Sequence, residues 1–197
     1  MSRIVHGRKV GILGGSFDPP HAGHVNITLE ALKRFDLDEI WWMISPGNPM
    51  KEMPPAPLAK RIEAAMAIMQ HPRVRISDFE ARHALRFTAE TLQTLQQHHQ
   101  GAKFVWLMGA DNLAGFHKWQ DWRWIINNVP IGVLARPGQR ISARMSKTAN
   151  IFRKFRLPER HSRDLANHSA PAWCFLNVPM RHISSTDIRN SGRWERS

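Results

Sequence analysis

One stretch constrains this chain more than any other: Gly14-Gly15-Ser16-Phe17-Asp18-Pro19-Pro20-His21-Ala22-Gly23-His24. It lies between the apolar run Val10-Gly11-Ile12-Leu13 and a segment whose apolar residues Val25, Leu29, Leu32 and Phe35 recur at helical spacing. Strand, glycine turn, helix is the layout in which an open α/β sheet offers backbone amides and a helix N-terminus to a phosphate. The dinucleotide-binding fingerprint does not fit. The glycines fall at 11, 14 and 15, and two histidines three residues apart follow where a third glycine belongs. With Pro20 opening the helix, His21 and His24 lie in or beside its first turn and can face the same anion. A Gly-Gly pair alone would equally make a tight turn, and a lone histidine there would equally be structural. The functional reading therefore rests on the whole string.

The rest of the chain alternates strand and helix. Glu39–Ile44 reads as a buried second strand, followed by a loop to Pro57 whose five prolines forbid helix or central strand. Leu58, Ile62, Ala65, Met66 and Met69 keep helical spacing, and Val74–Ile76 makes a short third strand. At Phe87-Thr88-Ala-Glu-Thr-Leu92 a helix begins, with Thr88 as N-cap, Glu90 in the first turn, and Phe87 and Leu92 as a hydrophobic staple. Lys103–Met108, Val129–Ala135 and Trp173–Val178 read as further strands, and a last helix starts at Ser185. Residues 140–172 form an excursion with one short helix near Ile151–Phe155. Repeated β-α units predict an α/β fold: a doubly wound, Rossmann-like, mostly parallel sheet with helices on both faces, one domain over residues 1–197.

Composition narrows the class. At 197 residues and 42% hydrophobic, the chain can bury a substantial core. No apolar run approaches the ~20 residues of a membrane span. The N-terminus lacks a signal-peptide core, and one cysteine excludes an internal disulfide, so a cytoplasmic protein with no membrane partner is expected. No Cys/His spacing reads as a metal site. The net charge of +12 favours polyanions, and nine Lys/Arg against one acid crowd the stretch from Arg136 to Arg163. A solvated basic face explains most of these, and no nucleic-acid-reading motif accompanies them.

Three more constellations follow predicted strand ends, where such sheets bind ligands. Asn48-Pro-Met-Lys51 places a lysine in a proline-stiffened loop, either solvated or meeting phosphate as a point charge. Gly109-Ala-Asp-Asn112 lets a ligand approach the backbone. Asp111 either caps the next helix or accepts from ribose hydroxyls, and among Trp119, Trp122 and Trp124 one can stack on a flat ring. Ile183-Ser-Ser-Thr-Asp-Ile-Arg189 follows His182. Ser184 or Ser185 caps a helix whose amides and hydroxyls, with Arg189 beside them, make a second anion site.

The first string resembles the Gly-x-Phe-x-Pro-x-His-x-Gly-His signature of the nucleotidyltransferase superfamily. Together with Ile183–Arg189 it is similar to the nicotinate/nicotinamide mononucleotide adenylyltransferases, most of all the bacterial nicotinate type. The resemblance runs from about Val10 to Arg189 and takes in Asn48–Lys51, Phe87–Leu92, Gly109–Asp111 with Trp119, and Ala135-Arg136-Pro-Gly138. Eight residues follow Arg189, where many relatives carry a longer helical tail, which leaves open the packing of a homo-oligomer.

That resemblance implies transfer of AMP from ATP to nicotinate mononucleotide, with Mg²⁺ carried in on the ATP, no resident metal and no nucleic-acid partner. It assigns catalysis to His21, His24 and Arg189. ATP falls to Gly14, Gly15, Ser16, Gly109, Asp111, Ser185 and Thr186 together with those three. The mononucleotide falls to Ser16, Phe17, Lys51, Thr88, Trp119 and Arg136. A phosphopantetheine adenylyltransferase or a cytidylyltransferase would share the histidines but has no pyridine for the tryptophan loop to stack on. A basic nucleic-acid-binding module would bind oligonucleotides tightly without them.

Overall fold

The computed structural model describes residues 6–47, 54–135, 143–179 and 183–196. Among the described residues, seven strands form one sheet: β1 (Lys9–Gly15), β2 (Glu39–Ile44), β3 (Val74–Ser77), β4 (Lys103–Gly109), β5 (Ile131–Ala135), β6 (Arg156–Leu157) and β7 (Trp173–Asn177). Their order is β3-β2-β1-β4-β5-β7-β6, and every pairing is parallel, so the expected mostly parallel sheet is wholly so. The order reverses between β1 and β4, which places a crevice at their carboxyl ends, after Gly15 and Gly109.

Both faces are buried, because the pleat sends alternate side chains to opposite sides. In β2, Trp41 and Met43 join one core while Ile40, Trp42 and Ile44 join the other. The first core takes α4 (Thr88–His98), α5 (Ala110–Gly115), α6 (Trp122–Asn128) and α7 (Lys147–Ile151) through residues such as Leu92, Leu113, Ile125 and Ala149. The second takes α1 (Ala22–Arg34) and α2 (Leu58–Ile68) through Ile27, Leu32 and Ala65. Two residues of the apolar period turn outward instead: Leu29 is 42% and Met66 54% exposed. A short α3 (Phe79–Arg82), not visible in the periodicity, follows β3.

The basic excursion, expected to hold one short helix near Ile151–Phe155, carries more regular structure than that among its described residues. It holds α7, a 3₁₀ turn at Arg153–Phe155, the edge strand β6, and a 3₁₀ segment at Glu159–Asn167. Some of its cations serve packing. The Arg144 guanidinium lies 5.1 Å from the Phe175 ring, and that of Arg156 lies 5.4 Å from Trp173. Arg34 pairs with Glu159 across to α1.

Cys174 is the second residue of β7 and is fully buried. Burial, helped by the Glu159 charge, pushes its thiol up to about 11. At about pH 8 roughly one thiol in a thousand is then ionised. Iodoacetamide should leave the folded protein unlabelled over hours and react fully in denaturant. Fast labelling of the native protein would show that β7 opens.

Candidate active site

The turn after β1 is built under steric pressure. Gly14 lies so close beneath the Trp106 ring that a Cβ would drive into it. Phe17 then takes φ +46, a left-handed conformation that a bulky residue adopts only when its surroundings enforce it. The enforcement is visible. Its ring is 2% exposed and stacks on Trp42, with centroids 4.7 Å apart and planes 20° apart. Ser16, just before it, is exposed.

Helix α1 starts two residues later than a helix opened by Pro20 would. Pro20 precedes the cap, and His21 is itself the N-cap, its Nδ1 accepting from the Gly23 N–H at 3.0 Å. His24, at the third helical position, accepts the His21 N–H on its own Nδ1 at 3.2 Å. Both rings thus take backbone amides on Nδ1, so in the neutral imidazole Nε2 carries the proton. Two oriented N–H donors result, their ring centroids 3.9 Å apart. No acidic residue occupies the first turn of α1, so no carboxylate of that turn offsets its positive end.

Behind His24 stands a support that the sequence does not announce. Phe17 lies 4.7 Å from its ring and Trp42 6.0 Å. Trp42 Nε1 donates to Thr28 Oγ1 at 2.7 Å, and that hydroxyl donates to the His24 carbonyl at 2.8 Å. Gly23 keeps His21 tight on the other side: a Cβ there would come within 2.8 Å of the His21 ring and reach Ile183.

Ile183 leads to α8 (Ser185–Asn190). Ser184 is its cap, accepting from the Asp187 N–H at 3.1 Å, and Asp187 returns the bond to the Ser184 N–H. Of the two serines expected as candidates, Ser184 is thus the cap, and its hydroxyl takes up one of the amides at the helix end. The Ser185 hydroxyl donates to the Pro19 carbonyl at 2.9 Å. Arg189 donates to the Asp18 carbonyl and, at 3.0 Å, to Thr186 Oγ1. The second motif thus docks onto the first through Asp18 and Pro19, and brings Arg189 to the histidine turn.

Two buried charged residues hold this assembly, and neither was anticipated. The Asp18 side chain is 1% exposed and accepts from the Ala56 N–H at 3.2 Å, Trp194 Nε1 at 2.7 Å and Arg196 Nε at 2.7 Å. Burial pushes its carboxyl up, but the bonds from Trp194, Ala56 and Arg196 and the Arg196 charge more than offset this and hold it below the usual carboxylate value. Arg61, also 1% exposed, donates to the carbonyls of Ala56, Ser16 and Ser45 at 2.7 Å each and of Pro46 at 3.3 Å. It ties the loop after β2 to the glycine turn after β1.

The remaining expected residues stand on other elements. Gly109 is the cap of α5 and Asp111 its second residue, exposed; Asp111 is not the cap. Thr88 is the first residue of α4, half-buried; Phe87 is the cap position, and its ring, 46% exposed, makes no staple. Glu90 reaches back to the N–H groups of Arg86 and Phe87 at 3.1 and 3.2 Å, and Glu80, buried below, accepts from Thr91 Oγ1 at 2.9 Å. Trp119 is half-buried, edge-on to Trp106 and Phe116, so Trp106 links it to Gly14. Among the described residues, neither Thr88 nor Asp111 hydrogen-bonds to the histidine turn. His182, the whole Asn48–Lys51 motif with its Lys51, and the Ala135–Gly138 motif beyond Ala135 with its Arg136 lie outside the described residues.

Among the described residues, no three His, Cys, Asp or Glu side chains cluster as a metal site, and no helix is long and apolar enough to cross a membrane. The arrangement is one for anions: two imidazole donors, a helix end and a guanidinium on one turn.

Comparison with known proteins agrees. The family model described as cytidylyltransferase-like matches residues 12–191. A probable nicotinate-nucleotide adenylyltransferase of Ruegeria sp. (strain TM1040) is 62% identical over 185 residues, covering 94% of this chain and 98% of that protein. One of Mesorhizobium japonicum is 44% identical over 194 residues, covering 98% of this chain and 100% of that protein. Among solved structures, a Plasmodium falciparum nicotinic acid mononucleotide adenylyltransferase complexed with NaAD superposes with a TM-score of 0.69 at 18% identity, covering 93% of this chain and 83% of that one. At that identity the likeness speaks to the fold.

Proposed function

This chain belongs to the cytidylyltransferase-like family and, within it, to the nicotinate-nucleotide adenylyltransferases, and from that premise we propose how its residues perform the transfer. The reaction joins ATP and nicotinate mononucleotide into nicotinate adenine dinucleotide. A phosphate oxygen of the mononucleotide attacks the α-phosphorus of ATP. The bond from that phosphorus to the β-bridging oxygen breaks, and pyrophosphate leaves with the electron pair. No covalent enzyme intermediate is needed, so catalysis is alignment and charge stabilisation.

His21 and His24 donate from Nε2 to the phosphate oxygens as charge grows in the transition state. The positive end of α1 adds to the same field. Arg189 holds the β- and γ-phosphates of the departing pyrophosphate, its planar fork suited to two oxygens at once. Ser185 and Thr186 lie beside it for the same anion. The amides of the Gly15–Phe17 turn receive the mononucleotide phosphate. Gly109 and Asp111 flank the adenosine, with Asp111 accepting from ribose hydroxyls. Thr88 meets the pyridine substituent and Trp119 stacks on the ring. Lys51 and Arg136 are further cations for the mononucleotide. Mg²⁺ enters as part of the substrate, on phosphate oxygens and water. The protein works in the cytoplasm.

One observation supports this reading above the others: both histidines have their tautomers set by backbone amides, which gives two N–H donors on the turn where Arg189 docks. The test is incubation with ATP, Mg²⁺ and either mononucleotide. Pyrophosphate release should follow addition of nicotinate mononucleotide and be slower with the nicotinamide form. Release with phosphopantetheine and with neither pyridine nucleotide would move the chain to another branch of the family.

A further inference from the structure

Asp18 has two arginines to choose between. Its carboxylate takes Arg196 Nε at 2.7 Å and Trp194 Nε1 at 2.7 Å, both from the segment after α8. Arg189, from α8 itself, stands with Nη1 4.0 Å from the same carboxylate oxygen that Arg196 occupies and bonds instead to the Asp18 main-chain carbonyl. The tail is anchored a second time, by Lys60 of α2, which donates to the Glu195 carbonyl at 2.9 Å and lies 5.3 Å from the Trp194 ring.

We infer that Arg196 and Trp194 are positioning residues that keep the Asp18 carboxylate occupied, so that the Arg189 guanidinium stays available to a polyphosphate. The inference rests on the assignment of Arg189 to the ATP phosphates made above. A buried carboxylate cannot stay charged without a partner. With Arg196 present, the partner is found in the tail. Without it, the guanidinium next in line among the described residues is that of Arg189, whose Nη1 already stands 4.0 Å from the carboxylate, while Arg61 is held by its carbonyl partners. A tight Asp18–Arg189 pair would neutralise the charge meant for ATP and would have to be broken each time ATP binds. The tail thus acts on ATP affinity through Arg189 without needing to touch ATP.

The test is titration calorimetry of MgATP and, separately, of nicotinate mononucleotide. Arg196→Ala should weaken MgATP by about tenfold or more, the scale of a charge-assisted contact, and leave the mononucleotide nearly unchanged. Arg196→Lys, which keeps a cation on Asp18, should stay close to wild type. Adding Asp18→Asn to Arg196→Ala removes the competing charge and should recover most of the lost affinity. A tail that merely braces the fold gives no such recovery, because each change then loosens the same contact further. Should Arg196→Ala fold poorly, Arg196→Gln reads the same comparison. Unchanged MgATP affinity in the arginine variant, or loss without recovery in the double variant, would overturn the inference. If Arg189→Ala itself binds MgATP normally, it is instead the triphosphate role of Arg189 that fails.

Discussion

His24→Ala should lose about 10²-fold or more in kcat, the scale found when one preorganised donor to transition-state charge is removed. His24 has two duties under the mechanism proposed above. Its Nδ1 closes the cap of α1 by accepting the His21 N–H, and the proposal gives its Nε2 to phosphate. Alanine removes both, so by itself it cannot tell a catalytic loss from a frayed helix. Glutamine can. At the third position of a helix, Gln is a natural capping-box residue and can reach back to the N-cap N–H, but it has no imidazole on the Phe17–Trp42 layer. His24→Gln should therefore melt close to wild type, while His24→Ala loses about 1 kcal/mol of stability. Both should share the catalytic loss. Glutamine that restored turnover along with stability would reduce His24 to a helix cap.

The histidine turn was readable from sequence because the features that make it are local. Strand, glycines, prolines and two histidines stand within fifteen residues, and each has a short-range reason for its place. The sheet was readable for the same reason: buried runs such as Glu39–Ile44 are bounded by turn residues. Element starts were less so. Thr88 looks like a cap by residue type, yet the bond that ends α4 comes from Glu90 reaching back to two amides, which leaves Thr88 inside the helix. Ser185 could have capped α8, but Ser184 does, and the Ser185 hydroxyl goes to Pro19, 166 residues away in sequence. The excursion was opaque because its order comes from long-range contacts. The rings of Trp173 and Phe175 take up Arg144 and Arg156, and no period in 140–172 records that.

Arg61 is the omission with the largest consequence, and it did leave a signal. It falls three residues after Leu58 and four before Ala65, inside the apolar stripe of α2, where a charge needs a reason. The reason is four carbonyl oxygens that no other group satisfies in the same way: Ala56, Ser16, Ser45 and Pro46. Burial pulls its pKa below the ordinary arginine value and the Asp18 charge acts against that, so the cation is kept, at a desolvation cost met by these bonds. Arg61→Ala should then cost about 3 kcal/mol or more, since it leaves a void and strands buried acceptors. Arg61→Lys should recover only part, because one ammonium cannot span carbonyls on two loops. Function should follow the same order. Ser16 lies in the phosphate turn, so a lysine variant that still folds should show a raised KM for the mononucleotide before its kcat falls. Chemical denaturation and steady-state kinetics on the two variants check both halves. Arg61→Ala within about 1 kcal/mol of wild type would mean that the loops hold each other, through bonds such as Ser45 N–H to the Gly15 carbonyl, and that Arg61 only fills the space between them.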